Sequence, residues 1–121
     1  MQSGLALLDD HVARFNAGVR SGDFQPMVDL FTDDAELIFE GLPVGPFRGH
    51  AAIAAAYRMQ PPNDEIELLD ATQDSEGRIV ASYAWRARPG VRGGTLLLLP
   101  REQWIARLVI QYGDDGRSPA G

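Results

Sequence analysis

Between residues 22 and 58 the chain reads GDFQPMVDLFTDDAELIFEGLPVGPFRGHAAIAAAYR, and the order of local signals in this stretch limits the folds open to it. Gly22-Asp23 suits the end of one helix and the cap of the next, and Pro26 is tolerated in that helix's first turn. Met27, Val28, Leu30 and Phe31 supply a short apolar face, which Asp33-Asp34 are expected to end. AELIFE at 35–40 predicts a strand with Leu37 and Phe39 on one side. Residues 41–49 are too rich in Gly and Pro for regular structure. The Ala-rich run at 50–59 predicts a helix with Ile53 and Tyr57 on one face.

Upstream, Leu5, Leu8, Val12, Phe15 and Val19 form one apolar stripe of a helix over 4–20, which Gly22 is placed to stop. Downstream, Pro61-Pro62-Asn63 breaks the chain, a strand follows over 66–71, and Asp74-Ser75-Glu76-Gly77 predicts a hairpin turn. A second strand over 79–88 puts Ile79, Ala81, Tyr83 and Trp85 on one side. A short strand at 95–99 and a turn at 100–103 lead to the last strand, 104–112. Its alternation sets Trp104, Ala106, Leu108, Ile110 and Tyr112 against Arg107 and Gln111. Residues 114–121 have nothing to bury and read as a frayed tail of a single domain. Helices first and antiparallel strands after is the α+β pattern.

Composition removes whole classes of chemistry. The 121 residues carry a formal net charge of −6, which argues against nucleic acid as a partner. No apolar run approaches the ~18 residues that span a bilayer, and the N-terminus is acidic where a signal peptide is basic. Cytoplasmic residence with no membrane partner is the expectation. There is no Cys, hence no disulfide, thiol nucleophile or thiolate metal site. All eleven basic residues are Arg, which excludes lysine Schiff bases and lysine general bases. Neither His11 nor His50 has a second ligand at metal spacing, and neither a metal nor any other cofactor is expected.

Four segments, FNAGVRSGD (15–23), LFTDDAEL (30–37), FRGHAAIAAAY (47–57) and IARLVIQYG (105–113), carry a resemblance over nearly the whole chain. In their order and spacing they resemble the SnoaL-like and ketosteroid-isomerase-like branch of the nuclear transport factor 2-like superfamily. The resemblance implies a curved antiparallel sheet wrapped around N-terminal helices, a cone-shaped α+β barrel with an internal cavity. A hydrophobic small molecule as ligand and a homodimer through the outer sheet face follow as expectations. So does cofactor-free isomerase, cyclase or dehydratase chemistry; a non-catalytic ligand-binding or dimerisation module is the competing class. Epoxide hydrolysis is a further enzymatic reading, for which no acid–base pair is visible.

The resembled isomerases use a tyrosine, a carboxylate base and a protonated aspartic acid; moving a proton beside a ketone needs a base at carbon and donors at oxygen. Their places fall here on Phe15, Phe39 and, more loosely, Thr95. Glu40 is the remaining candidate base: alternation points it to solvent, while a bulge at Phe39 would turn it inward. Tyr57 is the candidate donor, set against an ordinary core tyrosine. Phe15, Phe39, Tyr57, Trp85, Leu108, Ile110 and Tyr112 are the expected ligand-binding wall. His50 reads as a helix cap, and His11, beside Val12, is given no role.

Overall fold

The computed structural model describes residues 4–112, so the expectation for 114–121 lies outside the described residues. The chain order is α1 (Gly4–Ser21), α2 (Gln25–Val28), β1 (Phe31–Glu40), β2 (Phe47–Arg48), α3 (Gly49–Met59), β3 (Ile66–Gln73), β4 (Ile79–Trp85), β5 (Arg92–Arg101) and β6 (Trp104–Tyr112). Gly22 adopts φ +84° and its N–H bonds the Gly18 carbonyl, ending α1 as a left-handed residue without a Cβ can. No helix among the described residues is long and apolar enough to cross a membrane.

The strands form one sheet in the order β2-β1-β6-β5-β4-β3. It is mixed, which corrects the antiparallel expectation: β1 and β6 run parallel, with Leu37 beside Leu108 and Phe39 beside Ile110. Side-chain alternation carries no information on strand direction. Only the long crossover through α3 and the four intervening strands permits this pairing.

Two local expectations also change. Asp33 and Asp34 do not end a helix; they lie inside β1, which begins at Phe31, and Asp34 meets Arg101 at 3.2 Å. In β6 the register slips, so that Leu99 faces Arg107 while Pro100 faces Ile105. The extra residue turns Ile105 inward, fully buried, and leaves Trp104 40% exposed rather than on the side of Leu108.

The core lies between the helices and one sheet face. Leu7, Leu8, Val12 and Phe15 of α1, and Ile53 and Tyr57 of α3, pack with Leu37, Ile79, Ala81, Leu98, Ile105 and Leu108. One polar clamp fixes α1 to β3. The Asn16 side chain donates to the Ile66 carbonyl and accepts the Ile66 N–H, both at 2.9 Å. It satisfies a strand-edge residue as a neighbouring strand would.

Candidate functional site

The clamp sets Phe15 and His11, one helical turn apart on α1, over the strand face that carries Ile66, Tyr83 and Trp85. A cavity of about 60 Å³ remains there, closed by Tyr57 from α3 and by Phe39, Leu96, Ile110 and Tyr112 from the central strands. It shares Phe39, Tyr57, Pro62, Trp85 and Tyr112 with a wider apolar vestibule of about 500 Å³. Leu42, Val44 and Met59 stand exposed around that vestibule, Met59 at 81%. Phe39 stacks on Tyr112 with ring centroids 6.3 Å apart and meets Phe47 edge-on at 6.0 Å. Tyr83 and Trp85 form a second edge-to-face pair at 5.6 Å.

Phe15, Phe39, Tyr57, Trp85, Ile110 and Tyr112 of the expected wall thus come together. Leu108 does not reach the cavity: it is fully buried lower in the sheet, between Leu37 and Leu98. Glu40 follows the alternation. It lies opposite Gln111, whose amide donates to its carboxylate at 2.5 Å, and it is exposed on the face away from Phe39. No bulge at Phe39 turns it inward, and its proposed role as base loses its geometry. Thr95 pairs with Ser82 and Gln111 on that same outer face and accepts a hydrogen bond from Arg92 at 2.7 Å. His50 lies in the first turn of α3 but does not cap it: its Nε2 bonds the Phe31 carbonyl of β1 at 2.7 Å, and the N-terminus of α3 has no side-chain cap.

Five residues of the wall lie outside the expected set: His11, Pro62, Ile66, Tyr83 and Leu96. Tyr83 was visible in the β4 alternation, and with it all three tyrosines of the chain line one cavity. His11 sits three residues after Leu8 and four before Phe15, a spacing that already turned it inward. It is 3% exposed, packs edge-on against Phe31 at 6.1 Å, and leaves Nδ1 buried without a hydrogen-bond partner. Burial pulls its pKa down to about 4, against a smaller upward pull from the Asp10 carboxylate, so the imidazole is neutral at pH 7. Burial likewise raises the Tyr57 phenol, with lesser contributions from Tyr112 and Tyr83; Tyr83 is raised by burial and by Tyr112.

No Asp, Glu or Arg lines either the cavity or the vestibule. Among the described residues no group of three acidic or histidine side chains is arranged to hold a metal. The site is therefore a largely apolar space whose polar side chains are neutral: one imidazole, three phenols, the Trp85 indole and, at the vestibule, the Gln60 amide.

Comparison with known proteins follows the same outline. The SnoaL-like domain model matches residues 12–113. The chain belongs to the SnoaL-like domain family. Among solved structures, this SnoaL-like protein is similar to a protein from Sphaerobacter thermophilus, at 24% identity and TM-score 0.71, over 95% of this chain and 100% of that one. It is similar to an NTF-2 like protein of unknown function from Burkholderia xenovorans LB400, at 16% identity and TM-score 0.72, over 96% and 87% of the two chains. A proposed polyketide cyclase from Pseudomonas putida KT2440 matches at 18% identity and TM-score 0.68, over 95% of each chain. These likenesses establish the NTF2-like fold. A search of curated proteins found no significant match.

Proposed function

We propose that this SnoaL-like protein binds an uncharged, largely apolar small molecule that carries an oxygen function, with its polar end in the inner cavity and its apolar body in the vestibule. The observation that carries this reading is the composition of the walls. Three tyrosines and a histidine converge on a space that no charged side chain lines. Such a site holds a ligand by burial and orients it with a few donors. A carboxylate ligand would find no cation, since the chain has no Lys and no Arg lines either space.

Catalysis by a carboxylate base, as in the isomerases the sequence resembles, has no support from the wall, and neither has an acid–base pair for epoxide hydrolysis. The observation that keeps proton transfer open as a second reading is that a titratable group, His11, lines the cavity beside Tyr57.

Fluorescence tests the binding reading. Trp85 lines both spaces and Trp104 neither, so in a Trp104→Phe protein the remaining indole reports the site. Acetophenone is expected to quench it saturably, and benzoate, of the same size but charged, is expected not to. Benzoate binding as tightly as acetophenone would refute the reading.

The homodimer also belongs to this proposal. Val80, Leu97, Leu99 and Val109 form an apolar strip on the outer sheet face between Arg78 and Arg107. Burying that strip against a second copy removes apolar surface from water on both subunits.

A further inference from the structure

We propose that His11 is the polar anchor at the inner end of the cavity, a neutral imidazole whose Nε2–H donates a hydrogen bond to a carbonyl oxygen of the bound molecule. This rests on the reading that the cavity takes an uncharged apolar ligand, and it adds which oxygen chemistry is recognised and by what.

The argument starts from the two ring nitrogens. Nδ1 is sealed from solvent and has no hydrogen-bond partner. Nε2 is not sealed in this way, has no hydrogen bond among the described residues, and belongs to a side chain on the cavity wall. A proton on Nδ1 would be an orphaned buried donor, the rarer and costlier defect; a bare lone pair there is tolerated better. The proton therefore belongs on Nε2, a donor without a hydrogen-bond partner among the described residues, on a side chain that lines the cavity. The edge-on contact with Phe31 holds the ring plane in place.

Tyr57 and Tyr83 reinforce the same preference. Neither hydroxyl has a hydrogen-bond partner among the described residues, and both side chains line the cavity. A carbonyl oxygen offers two lone pairs and no proton, so it accepts from His11 and from one phenol together. An enclosure of about 60 Å³ also admits water, which would satisfy the same donors. A carbonyl ligand displaces that water only if it replaces its bonds.

The test uses the whole chain, with acetophenone labelled at the carbonyl carbon and α-methylstyrene, in which a CH₂ replaces the oxygen. In the wild type the bound carbonyl stretch is expected well below its frequency in hexane, and in His11→Phe it should move back toward that value. The Kd for acetophenone should rise about three- to tenfold in His11→Phe, the worth of one hydrogen bond, while that for α-methylstyrene does not rise. His11→Gln, which keeps a donor, should recover part of the frequency shift.

Equal weakening of both ligands would make His11 a packing residue and overturn the inference. So would an unchanged carbonyl band in His11→Phe; either result leaves the binding reading standing. Failure of acetophenone to bind the wild type at all would sink both. Should His11→Phe not fold, the nitrogen-15 spectrum of the wild-type imidazole decides the point: a proton on Nδ1 would overturn the proposal, and one on Nε2 with Nδ1 bare would support it.

Discussion

Lowering the pH from 7 to 4 should destabilise this protein specifically through His11, and a His11→Leu variant should be spared that loss. The folded imidazole titrates at about 4, against an ordinary value of 6.5 in the unfolded chain. Between those values the unfolded state holds a proton the folded state does not, so stability falls as pH drops through the window and the loss is complete below about 4. A difference of roughly 2.5 pK units corresponds to about 3 kcal/mol, of which about 2 should be gone by pH 5. The side chain is buried, so solvent screening does not discount it. Asp34 and Asp74, both exposed, and the half-buried Glu36 are carboxylates held below their usual range. Asp34 is lowered first by its Thr32 hydrogen bond, Glu36 by Arg48, and Asp74 by Arg78 and neighbouring N–H groups against opposing desolvation. Their contribution is also lost on acidification, but it is common to both proteins and cancels in the difference. The assay is urea unfolding of wild type and His11→Leu at half-unit steps from pH 7 to 4. The gap between the two curves should widen by about 3 kcal/mol in favour of the variant. Curves that stay parallel across that range would refute the account of His11 as a neutral imidazole without a partner.

Three further outcomes are expected. Glu40→Gln should leave the acetophenone affinity unchanged within twofold, because its carboxylate bonds Gln111 on the outer face; calorimetric titration checks this. Gly94→Ala should cost about 3 kcal/mol in urea unfolding, since a Cβ there would collide with the Gln111 carbonyl oxygen and stand 2.6 Å from the Tyr83 hydroxyl. Leu99→Arg, on the outer strip, should convert a dimer to a monomer by sedimentation velocity without lowering the acetophenone affinity; a wild type already monomeric at micromolar concentration would count against the dimer.

What the sequence disclosed depends on the range of the physics involved. Periodicity within a few residues located α1, α3, the β3–β4 hairpin and β6, because each element's apolar face repeats at its own period. Phe39 and Tyr112, far apart in the chain, were placed on one wall correctly because alternation and the family order agreed. The misreadings arose where one added residue overturns a period-two argument. The slip at Ile105 exchanged its side with that of Trp104. Leu108 was assigned the right face, yet depth along a strand decides between core and cavity, and alternation is silent on depth. His11 shows a different failure. The stripe read from Leu5, Leu8, Val12, Phe15 and Val19 was set slightly off the buried face, which runs through Leu7, Leu8, His11, Val12, Phe15 and Gly18. A stripe drawn from apolar residues alone passes over His11, the imidazole on the cavity wall.

The parallel pairing of β1 with β6 has a consequence for how the chain reaches this state. β1 ends at Glu40 and its partner begins at Trp104. During synthesis β1 has, among the described residues, only the two-residue β2 as a strand neighbour until residues 104–112 are made. Its other edge and the apolar inner face beside it stay uncovered through that interval, a setting in which slow, non-local pairing competes with association between chains. β6 is thus the strand that closes the sheet between its two halves. A nascent chain stopped at residue 103 would hold β1–β2 with α3 on one side and the β3–β4–β5 meander on the other, with no strand to join them.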